Sequence, residues 1–240
     1  GISAVWIDDG LSEGIEPLEM VAEETKQRAR TAISDALHDA SQALATGGTI
    51  TYDTVQEMRD VAEMIIGDVA QNVHSALALS DLASADAYTL KHSLAVTTLG
   101  LSLGSRVMRK YGWFDLKGQR RFHDIEERLL ELGVGLLLHD IGKLAVPSYI
   151  LEKEGPLTDE EWQAIRAHPT IGFEILRKAI GISPLSRVVV RSHHEKWMGA
   201  GYPDGQSGLG IHQFARIATV ADVFDALSSR RIGHTCPLSS

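Results

Sequence analysis

An aliphatic run that ends in an imidazole and a carboxylate is the most informative segment of this chain: Leu136-Leu137-Leu138-His139-Asp140-Ile141-Gly142-Lys143. The leucines predict a buried helix, and a buried carboxylate normally has a cation or hydrogen-bond donors beside it. Gly142 is predicted to end the helix, with Lys143 just beyond it. Taken alone, the His-Asp pair is better explained by a helix that ends in polar residues. A metal site has to be argued from the rest of the chain.

The composition narrows the class of protein. The 240 residues are 44% hydrophobic and 23% charged, which is ordinary for a globular protein. No apolar run approaches the roughly 18 residues that span a bilayer, so we expect no membrane association. A formal net charge of −9 argues against a nucleic acid polymer as partner, because that partner needs a basic face. The single cysteine, Cys236, fits a reducing compartment, and we expect a cytoplasmic protein.

Helical periodicity runs through most of the chain, and the predicted fold class is all-α. Residues 1–16 lack it and are expected to be a linker or the end of an upstream sensory or regulatory domain, since the chain opens without methionine. Two amphipathic stretches, 17–46 and 52–79, predict an N-terminal helical hairpin over 17–79. Further helices are predicted over about 84–109, 125–140, 158–168, 170–180, 184–194 and 211–229, within a domain that spans 80–240.

Six positions carry a metal-competent side chain in an apolar or rigid setting. Small apolar residues flank His92 and Asp222 at helical spacing, and Pro169 holds His168 at a junction between two helices. The other positions are His139, Asp140, and one of His193 or His194. Singly, each is more often a satisfied core or surface residue. Together they predict a metal site, and histidines with carboxylates suit iron, manganese, zinc or nickel.

The number of candidate ligands exceeds what one catalytic ion with an open position can use. It suits two ions, which a carboxylate can bridge in sites that activate water and hold a phosphate. Asp140 is the natural bridge because it lies at the centre of the ligand order. No cysteine joins the set, which excludes a cysteine-ligated structural zinc.

The order His92, His139-Asp140, Asp222 resembles the ligand order of the HD phosphohydrolase superfamily. The motifs His139-Asp140-Ile141-Gly142-Lys143, His168-Pro169, His193-His194-Glu195 and Gly201-Tyr202-Pro203 are similar to those of the HD-GYP family, over about residues 80–231. The resemblance implies an HD-type helical bundle that hydrolyses the bacterial second messenger cyclic di-GMP to pGpG and, in some members, GMP. It implies attack by a metal-bridging hydroxide at two divalent ions, iron or manganese, held by His92, His139, Asp140, His168, His193, His194 and Asp222.

The resemblance also implies roles near the substrate. Asp140 and Lys143 are the implied catalytic residues, and Lys143 would contact the phosphate or assist the leaving group. The implied substrate-binding residues are Lys143, Gly201, Tyr202, Pro203 and Arg231, the last where members keep a guanine-contacting arginine.

Three departures from the family pattern matter. Tyr88 stands where members with a third metal carry glutamate, so we expect a binuclear centre. Met198 replaces the usual aspartate between two motifs, where we expect a local change and no lost ligation. The run Arg231-Ile232-Gly233-His234 differs from the usual Arg-Pro-Tyr-Lys or Arg-Pro-Tyr-Arg and leaves the exact nucleotide and the rate open.

Three other hypotheses remain. The first is a cyclic di-GMP-binding signalling module with slow turnover, which the divergent segment after Arg231 favours. The second is a phosphohydrolase acting on another nucleotide, against which the Gly-Tyr-Pro motif argues. The third is a purely structural all-α protein, which would need seven matched ligand positions without a function. Separately, we expect the hairpin to pair two chains in a homodimer or to relay a signal, unless it merely packs on the bundle.

Overall fold

Nine α-helices form the part of the chain, residues 21–71 and 88–228, that the computed structural model describes. The all-α class predicted from the sequence is confirmed. Helix α1 (Glu23–Thr46) and α2 (Tyr52–Gln71) form a helical hairpin, and the ends of the predicted hairpin, 17–20 and 72–79, lie outside the described residues. Gly47 ends α1 with a φ of 75°, a left-handed conformation that suits glycine, and its amide donates to the carbonyl of Ala43 at 2.8 Å.

The remaining helices form a bundle around α4. None of the helices within the described ranges combines the length and the hydropathy that crossing a bilayer requires. Their bounds are α3 (Tyr88–Tyr111), α4 (Ile125–Leu137), α5 (Ser148–Leu151), α6 (Asp159–Arg166), α7 (His168–Arg177), α8 (Pro184–Ser192) and α9 (Gln213–Ser228), with 3-10 helices at Ile141–Ala145 and Gly208–Gly210.

A two-stranded antiparallel sheet interrupts the helices between α3 and α4. Strand β1 (Trp113–Phe114) pairs with β2 (Arg120–Arg121), and Trp113 lies opposite Arg121. The sequence did not predict these strands, because two residues are too few for an alternating pattern to be visible.

Helix α4 packs against α2, α3 and α8 at the centre of the fold. A Cβ atom on Gly133 would lie 2.9 Å from the Cβ of Ala62, so the missing side chain lets α2 and α4 approach closely. Leu132 and Leu136 are fully buried, and burial of one such side chain contributes about 2 kcal/mol. Met58 of α2 belongs to the same hydrophobic cluster, so hairpin and bundle share one core.

The end of α4 differs from the prediction. The helix ends at Leu137, three residues before Asp140, and a 3-10 helix follows from Ile141. Gly142 lies inside that 3-10 helix, so the prediction that it ends α4 was wrong. A Cβ atom at Gly142 would collide with the carbonyl oxygen of His168. The glycine therefore serves close packing of the 3-10 helix against the start of α7.

A junction between α6 and α7 lies near the predicted place, but His168, predicted to end the first helix, instead begins the second. Thr158 and Glu161 form the predicted capping box at the start of α6. Helix α6 ends at Arg166, and α7 begins at His168 with Pro169 in its first turn. His168 is therefore held at a rigid corner, fully buried.

Candidate metal centre

The seven predicted ligands converge at one place in the fold. They form two groups, and within each group the ligand atoms lie within 4.8 Å of one another. Each group draws on several separate elements: α3, the turn after α4, the start of α7, the end of α8, and α9. The first group is Asp140, His168, His193 and His194, and the second is His92, His139 and Asp222.

Backbone carbonyls orient three of the histidines. The Nδ1 atom of His139 lies 2.7 Å from the carbonyl oxygen of Leu136, and that of His168 lies 2.7 Å from the carbonyl oxygen of Ile165. The Nδ1 atom of His193 lies 3.0 Å from the carbonyl oxygen of Val190. A carbonyl only accepts hydrogen bonds, so each Nδ1 carries the proton and donates. In each ring Nε2 is then the atom that faces the site, as in metal-binding histidines.

Two pairs of these nitrogen atoms face each other. The Nε2 atoms of His168 and His193 are 3.3 Å apart, and those of His92 and His139 are also 3.3 Å apart. In the first pair neither Nε2 has a proton to share when the rings are neutral. Two facing lone pairs repel, and a cation bound between them removes the repulsion. The donor set therefore fits a metal ion.

The two carboxylate oxygens of Asp140 face different groups of ligands. It is 5% exposed, and Oδ1 lies 3.2 Å from Nε2 of His168. That oxygen nevertheless has no hydrogen-bond partner among the described residues. Oδ2 lies 3.4 Å from Nε2 of His139 and accepts a hydrogen bond from Lys143 Nζ at 2.6 Å. A buried carboxylate with an unsatisfied oxygen and one oxygen facing each group fits a bridging ligand.

His92 is held between two carboxylates of α9. Its Nε2 lies 3.2 Å from Oδ1 of Asp222, and its Nδ1 donates to Oδ2 of Asp225 at 2.7 Å. Burial lowers the pKa of His92, but the two carboxylates outweigh it and raise that pKa to about 9. Without a metal ion the ring is therefore protonated, and a bound divalent ion would replace the proton on Nε2.

The sequence analysis missed Asp225. The available signal was its spacing of three residues from Asp222, which places two carboxylates on one face of a helix. Asp225 is buried, as is His92. It thus supplies the outer hydrogen bond that metal-binding histidines commonly make.

Two histidines of the first group, His193 and His194, are neutral. Burial, with the neighbouring imidazoles, lowers the pKa of His194 to about 3 and holds the pKa of His193 well below its usual range. Burial opposes ionisation of Asp140, but Lys143 and His139 prevail and keep its pKa low. At neutral pH the first group therefore offers two neutral imidazoles, His193 and His194, and an ionised carboxylate, the protonation states that metal binding requires.

The Gly-Tyr-Pro loop lies directly on the ligands. The ring of Tyr202 stacks on His194 with centroids 4.7 Å apart, and its amide donates to the carbonyl of His194 at 3.2 Å. A Cβ atom on Gly201 would collide with the backbone at Glu195 and Lys196, so only glycine permits this approach. The loop thus covers one face of His194.

Glu195 fixes the Gly-Tyr-Pro loop through hydrogen bonds to its backbone, a role that the sequence analysis did not assign. Its buried carboxylate accepts hydrogen bonds from the amides of Asp204 at 2.7 Å and Gln206 at 2.9 Å. Met198, which replaces the expected aspartate, is 86% exposed and does not join the buried ligands. Arg231 and the segment after it lie outside the described residues, as does the side chain of Tyr88.

Comparisons with known proteins agree with this geometry. A family model described as "HD domain" matches residues 119–239. A cyclic di-GMP phosphodiesterase of Pseudomonas aeruginosa is 34% identical over 204 residues, which cover 85% of this chain and 44% of the relative. A 3'3'-cGAMP-specific phosphodiesterase of Vibrio cholerae is 48% identical over 95 residues, which cover 40% of this chain and 20% of the relative. The chain thus spans less than half the length of these relatives.

A solved structure has the same fold. An HDG"Y"P protein from Bdellovibrio bacteriovorus superposes with a TM-score of 0.62 and covers 86% of this chain and 62% of its own. Its sequence identity is 18%, so the likeness concerns the fold alone.

Proposed function

Because the chain belongs to the HD domain family, with the motifs of its HD-GYP branch, we propose that it is a metal-dependent phosphodiesterase that hydrolyses cyclic di-GMP to pGpG and, by further hydrolysis, to GMP. One observation carries the proposal. Two groups of ligand atoms lie on either side of Asp140, and each carboxylate oxygen of Asp140 faces one group. This arrangement suits two metal ions and a phosphate between them.

The proposed metal centre contains two divalent ions, iron or manganese. Asp140, His168, His193 and His194 would hold one ion, and His92, His139 and Asp222 the other, with Asp140 shared. Bound there, the ions would lower the pKa of water and neutralise charge on the phosphate. The mixture of imidazole and carboxylate, with no cysteine among the seven ligands, favours these metals over a structural zinc.

The chain's own residues would position the substrate and stabilise charge. The side chain of Lys143 is 35% exposed while its Nζ lies 2.6 Å from Asp140, so the ammonium can turn to a phosphate oxygen or to the departing 3′ oxygen. Gly201 and Pro203 shape the loop that carries Tyr202 over His194. Arg231 would contact a guanine, as the family resemblance implies.

A second substrate also has support. The similarity to a 3'3'-cGAMP-specific phosphodiesterase favours a cyclic dinucleotide that carries one adenine. Both candidate substrates present the same 3′,5′ phosphodiester to the metal centre, so the centre itself does not distinguish them. Discrimination would lie with residues that contact the bases.

The hairpin is a candidate relay for an upstream sensory or regulatory domain. Ile33 and Ala36 of α1 line a small cavity of about 10 Å³ together with Asp140 and Ile141. A shift of α1 would therefore act on the residues that carry the bridging carboxylate.

We propose further that the protein is cytoplasmic and forms a homodimer. Light scattering of the whole chain tests the dimer. A chain without the hairpin is unsuitable for this test, because the deletion would expose the core that hairpin and bundle share.

The proposed function is tested with protein purified without oxygen. Elemental analysis is paired with chromatographic detection of products from cyclic di-GMP and 3'3'-cGAMP, with manganese or iron added. We expect two ions per chain and release of pGpG. The control variant His168→Ala should bind less metal and release no pGpG. Tight binding of cyclic di-GMP without turnover would instead favour the signalling module, and turnover of 3'3'-cGAMP alone would reassign the substrate.

A further inference from the structure

Three residues form what we term the edge cluster beside the metal centre: Trp162, Arg166 and Tyr202. The guanidinium carbon of Arg166 lies 5.7 Å from the ring centroid of Trp162 and 5.8 Å from that of Tyr202. Tyr202 in turn stacks on His194. Arg166 ends α6, two residues before the buried His168. The edge cluster therefore begins where the predicted metal ligands end.

Arg166 and Tyr202 keep unused hydrogen-bonding capacity. Several arginines are paired with carboxylates, such as Arg191 with both oxygens of Asp204 and Arg28 with Glu57. Arg166 is exposed, and its guanidinium has no carboxylate partner in residues 21–71 and 88–228. The Tyr202 hydroxyl likewise makes no hydrogen bond within those ranges. A tyrosine hydroxyl is protonated at neutral pH and can donate a hydrogen bond.

The charge of the surroundings explains why a cation is useful there. The chain has a net charge of −9, and Asp140, Asp222 and Asp225 place three carboxylates at the centre. A cyclic dinucleotide carries two phosphodiesters, of which the metal centre can neutralise the one that reacts. The other phosphate approaches a chain with a negative net charge, so a cation of its own would stabilise it. A planar guanidinium suits this purpose because its donors match two phosphate oxygens at once.

We propose that Arg166 and Tyr202 bind the phosphate of the cyclic dinucleotide that is not being hydrolysed. Arg166 supplies two N–H donors and the positive charge, and Tyr202 supplies its O–H. The aromatic rings under the guanidinium hold it in place at little entropic cost. The inference rests on the proposed function for the identity of the substrate.

The test compares Arg166→Gln, Arg166→Lys and Tyr202→Phe with the wild-type, manganese-loaded chain. We expect Arg166→Gln to raise KM for cyclic di-GMP about tenfold, as for one lost charge-assisted contact at an exposed site. Because the contact exists before and during reaction, kcat should stay within about twofold. Arg166→Lys should show a smaller rise, since it keeps the charge and loses the fork, and Tyr202→Phe a rise of about threefold. Metal content should not change.

Salt dependence identifies the contacted group. Binding of a phosphate by Arg166 makes KM rise with sodium chloride, and that dependence should flatten in Arg166→Gln. The matched control is Arg120→Gln, which removes another exposed arginine that lies over an aromatic ring, Phe114 at 5.2 Å. It should alter neither KM nor its salt dependence.

Each other outcome overturns a specific claim. If Arg166→Gln raises KM but leaves its salt dependence unchanged, Arg166 contacts a base and not a phosphate. If Arg166→Gln leaves KM unchanged or loses a metal ion, the inference is refuted. Wild-type turnover would still support the proposed function in either case. If the wild-type chain binds cyclic di-GMP without turnover, the proposed function fails, and the same comparison of Kd values still tests the inference. If the wild-type chain neither binds nor hydrolyses it, both fail.

Discussion

The Nδ1 atom of His92 donates a hydrogen bond of 2.7 Å to Oδ2 of Asp225, which lies 133 residues further along the chain. Asp225 is absent from the family motifs that the sequence displays, yet it determines which nitrogen of His92 faces the metal centre. Outer hydrogen bonds of this kind hold the ring in place and increase its basicity as a ligand.

Asp225→Asn should therefore weaken metal binding without emptying the site. We expect metal affinity to fall about tenfold to a hundredfold, the range seen when outer partners of metal-binding histidines are removed. Titration against a competing chelator measures it. Asp53→Asn, which changes a carboxylate at the exposed start of α2, is the control. Unchanged affinity, or loss of helical circular dichroism, would contradict a positioning role.

Asp140→Ala should lose both metal ions and activity together. One oxygen of Asp140 faces each group of ligands, so the substitution removes a donor from both. Elemental analysis after anaerobic purification measures the ions directly. A variant that keeps two ions would show that Asp140 does not bridge, and one that keeps a single ion would assign Asp140 to the other ion only.

Lys143→Ala should keep both ions and lower kcat. The ammonium is a donor without acceptor capacity, so it cannot serve as a ligand. Loss of one donor that stabilises charge in the transition state typically costs about a hundredfold in kcat. The control is Lys196→Ala, which removes an exposed lysine beside the Gly-Tyr-Pro loop and should leave kcat unchanged. If Lys143→Ala empties the metal centre, the lysine is structural and its catalytic assignment falls.

Gly142→Ala should destabilise the fold. The new methyl group would collide with the His168 carbonyl, a backbone atom that cannot move without shifting α7, and overpacking of this kind costs about 1–3 kcal/mol. Gly67→Ala is the matched control, because a Cβ atom added at this exposed position of α2 meets nothing within 4 Å. That change should stabilise the protein by about 0.5–1 kcal/mol. Urea unfolding of both variants measures the difference, and equal stabilities would refute the packing argument.

The loop between α1 and α2 should respond to acid through Asp39. Its Oδ2 accepts hydrogen bonds from Thr54 Oγ1 at 2.6 Å and from the amide of Thr51 at 3.0 Å. Burial opposes ionisation, but these bonds prevail and lower the pKa of Asp39 below its usual 3.8. Because the folded pKa is the lower one, the contribution to stability is complete above the unfolded pKa and disappears as pH falls through the folded pKa.

Asp39→Asn isolates this effect. At pH 7 the variant should be less stable by about 1 kcal/mol, as for a lost helix cap. The difference should begin to shrink as pH falls below about 4, where Asp39 protonates in the unfolded state, and should disappear once pH is below the lower folded pKa. Unfolding in the presence of a chelator removes metal effects, and Asp35→Asn, an exposed carboxylate on the same helix, is the control. A difference that is constant with pH would refute the electrostatic explanation.

Local spacing in the sequence determined the helical class and the candidate ligands. The capping box at Thr158 and the corner at His168 follow from residues that are adjacent in the chain, and such short-range preferences can be read without a fold. The His-Asp pair at 139 and 140 is likewise adjacent, and the local settings of the other positions left only the choice between His193 and His194 open. The family resemblance implied both of these histidines as ligands.

Only the tertiary structure decided how those residues are shared. The division of the ligands into two groups, with one oxygen of Asp140 toward each, depends on distances between helices that are far apart in sequence. The partnership of His92 with Asp225 and the close approach of Gly142 to His168 depend on such distances as well. Periodicity gives the buried face of a helix, but it does not say which residue of another helix lies opposite. That choice comes from packing, because side-chain volumes across the whole core determine how closely two backbones approach.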